Sequence, residues 1–378
     1  MSEGWLPYGR QSISRADVEA VTEVLTSDFL TTGPVAERFE GELAKKTGAR
    51  FAVVLNSGTS ALHAAYYAAG LGPGDEIVTT PLTFVATASA ALHLGATVRF
   101  VDVDADTGTL DPELLAEALG ERTRLVVPID YAGHPADYDA IRAATGDRGV
   151  KVVADAAHSL GAIYRGRPVG TLAEVSATSF HPVKPITTCE GGAVLTSDEK
   201  SAGRARRFRN HGIVKDDSSG NPFWHYEVVD LGLNYRLSDV QSALGMSQLG
   251  RLEAFLERRR AIAERYLEAL ADLPQILLPV ERPWASSGWH LFVIQVVEPE
   301  RRRAFFDHLR DHGLGVQVHY IPVHYHPYYR RLGFEPGMCP VAEKRFARSV
   351  SIPLFPGMSD GDVDRVIEQI HGSAAAVL

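Results

Sequence analysis

The sequence predicts an α/β protein with a mostly parallel central sheet, followed by a smaller α+β domain. Short apolar segments alternate with helical patterns through the first half of the 378 residues. Most of these segments are continuously apolar and rich in valine, which is typical of strands that are covered on both faces. A different set of elements begins near residue 256. We therefore predict a large domain over residues 1–255 and a small α+β domain over residues 256–378.

The elements of the large domain follow from apolar runs and from helical spacing. Asp111 before Pro112 supports one of the helices, because aspartate caps helices and proline is favoured at the first helical position. The predicted strands cover residues 51–55, 76–80, 97–101, 124–128, 151–155, 175–180 and 193–196, and the predicted helices cover residues 60–69, 85–94, 112–119 and 137–145.

A strongly helical pattern over residues 238–270 predicts one long helix that leads into the small domain. Ser359 is typical of a helix cap, and acidic residues follow it in the first turn of the last helix. The predicted elements of the small domain are strands 289–296 and 314–320, helix 300–312 and a final helix 359–371, with a frayed tail at 373–378.

Composition limits the classes of function. The net charge of −9 is spread along the chain, which argues against nucleic-acid binding because phosphate contacts need a clustered positive surface. Cys189 and Cys339 have no paired spacing, which indicates a reducing compartment and no structural metal. Residues 1–10 lack a signal-peptide pattern, and no apolar run approaches the roughly 20 residues that span a membrane. We therefore expect a cytoplasmic, soluble protein.

Lys184 lies in an unusual setting for a charged side chain. It stands between Pro182 and Pro185 in a run of mostly apolar and small residues, which follows one predicted strand and leads through a Gly-Gly turn into another. Such a lysine can hold pyridoxal phosphate as a Schiff base. Lys184 is therefore the candidate catalytic lysine.

Asp155 ends a predicted buried strand, where a carboxylate is costly unless it meets a cation. A protonated pyridine nitrogen would serve, and so would an arginine. His158 lies three residues on, within reach of the same ligand, and a histidine satisfied within the core is the alternative. Lys184 and Asp155 are the pair that a pyridoxal phosphate enzyme needs, because the first binds the cofactor and the second keeps its ring nitrogen protonated.

The loop Asn56-Ser-Gly-Thr-Ser-Ala61 joins a predicted strand to a predicted helix. The helix N-terminus would present free N–H groups to a phosphate, and Thr59 and Ser60 could add hydroxyl groups. An ordinary capped turn is the alternative. Phe84 follows a further predicted strand and could stack on a flat cofactor, with a core phenylalanine as the alternative.

Taken together, these motifs resemble the DegT/DnrJ/EryC1/StrS family of sugar aminotransferases along nearly the whole chain. The form His181-Pro-Val-Lys184-Pro-Ile-Thr-Thr188 is similar to one subgroup of that family, and so is the segment 315–329. The resemblance implies the fold type I architecture of pyridoxal phosphate-dependent enzymes and a homodimer with shared active sites. Its most specific parts are the runs 56–62, 155–158, 179–192 and 232–241.

The resemblance implies roles around the cofactor ring. Lys184 would bind the cofactor covalently, and Asp155 would pair with the pyridine nitrogen. His158 would hydrogen-bond near the 3-hydroxyl group, and Phe84 would stack on the ring.

It also implies contacts to the phosphate and to the sugar. Thr59, Ser60 and Ser179 would hold the cofactor phosphate, and Asn234 would reach the phosphate in the neighbouring subunit. Without the resemblance, Asn234 would indicate only a turn. Tyr320 would face the sugar.

The implied activity is transfer of an amino group from glutamate to the C4 keto carbon of a 4-keto-6-deoxy hexose, linked to a nucleotide that we expect to be UDP. Arg236 is a candidate contact for the diphosphate, with a surface arginine as the alternative. Other possible functions are amination of an antibiotic-pathway dTDP-keto sugar or of a cyclitol ketone. A non-catalytic binding or regulatory protein would be expected to have lost Lys184 or Asp155. Cys189 departs from the subgroup, which usually has glycine there.

Overall fold

The structure is a computed structural model that describes residues 4–215, 220 and 222–378. Residues 1–3, 216–219 and 221 of the predicted large domain lie outside the described residues. Residues 1–3 also belong to the stretch 1–10 in which we expect no signal peptide. The helices are α1 (Arg15–Leu25), α2 (Pro34–Thr47), α3 (Gly58–Ala69), α4 (Ala86–His93), α5 (Pro112–Ala118), α6 (Tyr138–Thr145), α7 (Glu199–Arg209), α8 (Asp239–Gly250), α9 (Leu252–Ala269), α10 (Arg302–Asp311), α11 (Pro327–Arg331), α12 (Pro340–Arg348) and α13 (Asp360–Val377). The strands are β1 (Phe51–Leu55), β2 (Glu76–Thr79), β3 (Thr97–Phe100), β4 (Thr123–Val127), β5 (Lys151–Asp155), β6 (Ile163–Tyr164), β7 (Arg167–Pro168), β8 (Val175–Ser179), β9 (Gly192–Thr196), β10 (Ile213–Val214), β11 (Glu227–Val228), β12 (Ile276–Leu277), β13 (Ala285–Ser286), β14 (Phe292–Val296) and β15 (Ser349–Ile352).

The seven strands predicted for the large domain form the central sheet, in the order β1-β9-β8-β5-β4-β2-β3. β5 pairs in parallel with β4 and β8, and β2 pairs in parallel with β3 and β4. Only β9 runs antiparallel to its neighbours, β1 and β8. The prediction of a mostly parallel central sheet is confirmed.

Apolar layers on both faces of the sheet explain its continuous apolar strands. In β1, Val53 packs into the cluster that contains Leu62 of α3, whereas the next residue, Val54, packs into the cluster that contains Phe39 of α2. Val53 and Val54 are both fully buried. Burial of a side chain of this size contributes about 1.5–3 kcal/mol, so both faces of the strand favour apolar residues.

The C-terminal region has a second sheet and its own apolar core. β14 pairs antiparallel with β12 and β15, and α10 and α13 pack beside it. Helix α9 contributes to two cores, because Leu256 belongs to a cluster of the central sheet and Ile262 belongs to the C-terminal cluster. The division into domains 1–255 and 256–378 stays a prediction, and this change of neighbours along α9 supports it.

Two predicted helices differ from the structure. The long helix predicted over residues 238–270 is two helices, because regular α8 ends at Gly250 and α9 begins at Leu252. The last helix, α13, extends to Val377 instead of ending at residue 371. Its final turns are held because Ser373 Oγ hydrogen-bonds His308 Nδ1 at 2.8 Å and Ala374 is buried in the C-terminal core. The prediction of a frayed tail is therefore wrong.

The strand predicted over residues 314–320 is also wrong. Leu314 and Gln317 form isolated bridges to two different partners, Leu6 and Ser351, so no continuous ladder develops. The same segment then leads to Tyr320 at a cavity described below. Among residues 4–215, 220 and 222–378, no helix has the length and apolar character needed to cross a bilayer.

Candidate active site

A cavity of about 480 Å³ lies at the carboxyl edge of the parallel strands. Phe84 enters it from the loop after β2, Asp155 from the end of β5 and Ser179 from the end of β8. Lys184 and Tyr320 line it as well. Ligands of open α/β sheets bind at this edge, so the topology brings together side chains that are far apart in sequence.

The first turn of α3 forms one end of the cavity. Ser57, Gly58 and Thr59 line it, and Ser57 caps the helix. A Cβ atom at Gly58 would lie 2.8 Å from Cβ and Oγ of Ser179, so glycine lets the helix begin this close to that hydroxyl group. The N–H groups of a first helical turn have no partner within the helix. The amides of Gly58 and Thr59 and the hydroxyl of Ser179 therefore offer donors for an anion.

Asp155 is 5% exposed and is held by two hydrogen-bond donors. Thr87 Oγ1 donates to Oδ2 at 2.7 Å, and the Ala157 amide donates to Oδ1 at 3.2 Å. Burial raises the pKa of Asp155, while these hydrogen bonds and the charge of Lys184 act to lower it. The carboxylate is oriented but has no ion pair within salt-bridge distance in the described part of the chain, and it is suited to a cationic ligand.

Lys184 is the cationic side chain of the cavity. Its amide donates to the His181 carbonyl at 2.9 Å, which forms a tight turn before Pro185. Its Nζ lies 3.4 Å from His290 Nε2. Burial lowers the pKa of Lys184 to about 8, against the opposite effect of Asp155. A lysine with this pKa is available both as an amine and as an ammonium group near neutral pH.

Aromatic rings also line the cavity. Phe84 is 57% exposed, so the alternative of a core phenylalanine is wrong. Its ring centroid lies 6.2 Å from that of Tyr320, whose hydroxyl lies 2.9 Å from His158 Nε2. The Ala132 amide donates to His158 Nδ1 at 3.3 Å. Burial lowers the pKa of His158 well below its usual value, with the charge of Lys184 acting in the same direction. His158 is therefore neutral, with its proton on Nε2.

Three of the predicted site residues lie outside this cavity. Ser60 is buried, and its Oγ donates to Asn56 Oδ1 at 2.7 Å as part of the cap of α3. Asn234 is exposed on the surface. Arg236 lines a separate groove and donates to Asn210 Oδ1 at 2.6 Å. Within one chain the structure therefore brings together Thr59, Phe84, Asp155, His158, Ser179, Lys184 and Tyr320.

Sequence reasoning missed several residues of the cavity. Ser57 lies inside the loop 56–61, and Thr87 lies three residues after Phe84, so the helical spacing from Phe84 could have indicated Thr87. His290 and His319 stand at or near predicted strands of the C-terminal region, with no motif to distinguish them from core histidines. Only the fold brings these two histidines to the cavity.

Known proteins are similar to this chain over nearly its whole length. The chain is 40% identical over 375 residues to the spore coat polysaccharide biosynthesis protein SpsC of Bacillus subtilis, covering 97% of this chain and 96% of SpsC. The solved structure of Helicobacter pylori PseC, an aminotransferase involved in the biosynthesis of pseudoaminic acid, is similar with a TM-score of 0.92 and 32% identity. That match covers 98% of this chain and 100% of PseC.

A further solved structure is that of Spr1654 from Streptococcus pneumoniae in its PLP-form, with a TM-score of 0.93 and 30% identity over 99% of this chain and 100% of that one. The subgroup indicated by the lysine motif is that of the pseudaminic acid pathway transaminase, in agreement with the PseC match. The model of the DegT/DnrJ/EryC1/StrS aminotransferase family matches residues 11–371. The chain therefore belongs to the DegT/DnrJ/EryC1/StrS family of pyridoxal phosphate-dependent sugar aminotransferases.

Proposed function

We propose that this enzyme transfers an amino group from glutamate to the C4 keto carbon of a 4-keto-6-deoxy hexose that is linked to UDP. The observation that carries the proposal is that Lys184, Asp155 and the first turn of α3 share one cavity. The substrate class is supported by two relatives, since PseC is involved in the biosynthesis of pseudoaminic acid and SpsC is named for polysaccharide biosynthesis. The nucleotide, the position of the keto carbon and the donor are parts of the proposal.

The residues of the cavity fit pyridoxal phosphate. Lys184 supplies an amine for the aldehyde, and Asp155 supplies a buried acceptor for the ring nitrogen. The amides of Gly58 and Thr59 at the N-terminus of α3, with the nearby hydroxyl of Ser179 at the end of β8, suit the phosphate because all three are hydrogen-bond donors. Each polar group of the cofactor thus has a partner of matching chemistry.

The flat ring would lie against aromatic side chains. Phe84 has an exposed ring that is free to stack on it. In this structure Nε2–H of His158 donates a hydrogen bond to the Tyr320 hydroxyl. With the cofactor bound, the same Nε2–H would donate to both the Tyr320 hydroxyl and the 3-hydroxyl group of the cofactor. Tyr320 itself would then stand next to the sugar.

Proton transfer falls to Lys184. When bound, pyridoxal phosphate withdraws electrons from the carbon that carries the amino group, which makes the proton on that carbon acidic. Nζ of Lys184 would accept this proton and deliver it to C4′ of the cofactor. With a pKa of about 8, roughly a tenth of Lys184 is uncharged at pH 7. Asp155 keeps the ring nitrogen protonated and so stabilises the negative charge that develops.

The same residues serve both halves of the reaction. Lys184 moves a proton in one direction while glutamate gives up its amino group, and in the reverse direction while the keto sugar receives it. A single base suffices because the second half-reaction is the first half-reaction run in reverse on a different substrate. No second base is needed in the proposal.

A homodimer with shared sites is part of the proposal. Phe223, Trp224 and Leu231 are 92%, 78% and 86% exposed. Several large apolar side chains exposed within one short segment are typical of a protein–protein interface. Asn234 lies three residues after Leu231 and would reach the cofactor phosphate of the partner. Arg236, two residues further, would contact the diphosphate of the substrate in that same site.

An absorption spectrum tests the first half-reaction. We expect a visible band from pyridoxal phosphate bound to the purified protein, and we expect glutamate to convert it to a band in the near ultraviolet. UDP-linked and dTDP-linked 4-keto sugars, added next, should restore the visible band, and the UDP sugar should do so faster. A band that ignores glutamate but responds to another amino acid would contradict the proposed donor.

Variants test the assignment of Lys184 and the shared site separately. Lys184→Ala should lose the visible band and turnover, whereas Lys45→Ala, at an exposed lysine, should keep both. Asn234→Ala should bind the cofactor more weakly. Mixed dimers of Lys184→Ala and Asn234→Ala chains should recover part of the activity, and a complete lack of recovery would argue against shared sites.

A further inference from the structure

His290 lies next to Lys184 and has no role in the reaction proposed above. Its Nε2 lies 3.4 Å from Lys184 Nζ, at the long end of hydrogen-bond distances. Its ring centroid lies 4.5 Å from that of His158. The residue is 4% exposed, so it meets Lys184 inside the protein rather than in solvent.

The backbone around His290 is held in place from both sides. Trp289 has a φ of 44°, which a residue with a large side chain adopts only when its surroundings impose it. On one side, a Cβ atom at Gly133 would lie 2.8 Å from the backbone nitrogen atoms of Trp289 and His290, so this close approach requires glycine. The Leu291 amide donates to the Ala132 carbonyl at 3.1 Å. These contacts tie the segment to the loop after β4.

On the other side, the fully buried Arg259 of α9 binds the same segment. Its Nη1 lies 3.2 Å from the carbonyl oxygens of Trp289 and His290 and 3.0 Å from that of Leu354. A buried guanidinium group that binds only carbonyl oxygens is costly, because each charged group loses its hydration. Its contacts orient the backbone that carries His290.

The two ring nitrogen atoms of His290 differ in their contacts. Within the part of the chain that the structure describes, Nδ1 is buried and has no hydrogen-bond partner. Because an ammonium group can only donate, a protonated Lys184 needs Nε2 of His290 as an acceptor, and the ring proton then lies on Nδ1. Burial keeps the pKa of His290 well below its usual value, with the charges of Lys184 and Arg259 acting in the same direction. The ring is therefore neutral and can accept.

We propose that His290 is the resident hydrogen-bond acceptor for the ammonium form of Lys184, and that Arg259 and Trp289 are positioning residues for it. Resting on the proposed role of Lys184, this inference adds a second group to the proton transfer. Lys184 would take the proton from the amino-bearing carbon of the donor, keep it as an ammonium group hydrogen-bonded to Nε2, and release it to C4′ of the cofactor, with the direction reversed in the other half-reaction. His290 gains and loses no proton in this cycle.

The inference predicts the titration of Lys184 in the full chain without cofactor. A hydrogen bond to the charged form favours that form, so its loss should lower the apparent pKa of Lys184 in His290→Phe by about one pH unit. His290→Gln, whose amide oxygen can accept near the position of Nε2, should titrate like the wild type. The charged or titratable groups that act on Lys184 or His290 are Asp155, His158, His319 and Arg259. Tyr320 lines the same cavity, and all five residues are unchanged in these variants.

Trace labelling with acetic anhydride between about pH 6 and 10, with quantification of the Lys184 peptide by mass spectrometry, measures that titration. His134→Gln serves as a control, because His134 is buried but binds Pro135 and Arg282 instead of Lys184. It should leave the titration unchanged. Thermal unfolding checks the fold of each variant, and His290→Met, with a flexible apolar side chain, replaces the Phe variant if that chain does not fold.

Two outcomes would overturn the inference. One is a folded His290→Phe or His290→Met chain in which Lys184 titrates as in the wild type. The other is a Gln variant that shifts the titration as far as the Phe variant does, because the effect would then be one of packing. Failure of the cofactor assignment gives a different result, namely a Lys184→Ala protein that keeps the visible band. The two failures are therefore distinguishable.

Discussion

The two walls of the Lys184 cavity differ in chemistry. The sheet wall, made by Asp155, Ser179 and the first turn of α3, offers a carboxylate and hydrogen-bond donors. The ring wall, made by His158, His290 and Tyr320, offers only neutral rings, since burial lowers the pKa of both histidines and raises that of Tyr320. The comparison teaches that one wall supplies charge and the other supplies hydrogen bonds without charge.

This division has a physical reason. Lys184 and Asp155 already balance each other, and an additional charge inside the protein would be costly unless it were paired. Neutral rings can surround an amine and a flat ligand at lower cost, because they carry no charge that burial would strip of water. The predictions below begin with the sheet wall and continue with the charge of Lys184, the ring wall and the loop that carries Lys184.

The largest expected effect concerns the charge of the sheet wall. Asp155→Asn keeps the shape and can still bond to Thr87 and Ala157, but it cannot hold the cofactor's ring nitrogen in its protonated form. We expect turnover at saturating cofactor to fall about 10²–10³-fold, as for other preorganised electrostatic groups.

Asp130→Asn is the matched control for this change. Asp130 is a second buried carboxylate, bonded to Tyr138 and to the Ala136 amide at 2.8 and 2.9 Å, and it does not line the cavity. We expect it to reduce turnover less than tenfold while lowering stability. Equal losses in turnover for the two variants would remove the distinction between a catalytic and a structural carboxylate.

The second prediction concerns pH. Because only uncharged Lys184 accepts a proton and its pKa is lowered to about 8, the single-turnover rate with saturating glutamate should rise about tenfold per pH unit below 8 and level off above it. Stopped-flow decay of the visible band measures this rate. Since the charge of Asp155 raises the pKa of Lys184, the inflection should move to lower pH in Asp155→Asn. An inflection that moves upward would contradict the proposed coupling.

A smaller effect is expected on the ring wall. Tyr320→Phe removes the hydroxyl group that accepts a hydrogen bond from Nε2–H of His158, while the aromatic ring stays. The loss of one such hydrogen bond is worth about 1 kcal/mol, so kcat/KM for the keto sugar should fall about fivefold. Tyr328→Phe, at a tyrosine that is 53% exposed, is the control and should leave kcat/KM unchanged. If both variants behaved alike, Tyr320 would have no part in the site.

The smallest effect concerns the loop that carries Lys184. Cys189 has a φ of 67°, a left-handed conformation that favours glycine, which explains why glycine is usual there in the subgroup. Cys189→Gly relieves this strain, which stabilises the folded chain, but glycine also gives the unfolded chain more conformational freedom, which offsets part of the gain. We expect the free energy of unfolding to rise by about 0.5–1 kcal/mol. Thermal unfolding would detect it. Cys189→Ala keeps the strain and should show no gain, so a gain in both variants would assign the effect to the thiol.

Sequence patterns located the sheet wall because its residues stand at the ends of apolar strands. The seven strands of the central sheet were predicted to within a residue or two, and Asp155 and Ser179 end β5 and β8. Where parallel strands end is a local property of the chain, so one edge of the sheet could be inferred from segments read separately. The same local signals placed Lys184 between two strands.

Tertiary structure decided the rest. Whether a serine of the first turn of α3 faces a ligand or caps the helix depends on the packing of that turn, and the structure assigns Ser60 to the cap. His290 reaches Lys184 only because Arg259 and the loop at Gly133 hold a strained backbone between them. The sequence by itself determined the strands and the pair Lys184 and Asp155, because strand ends and buried charges leave local signals. The ring wall depends on contacts between residues more than a hundred positions apart, and such contacts leave no local pattern.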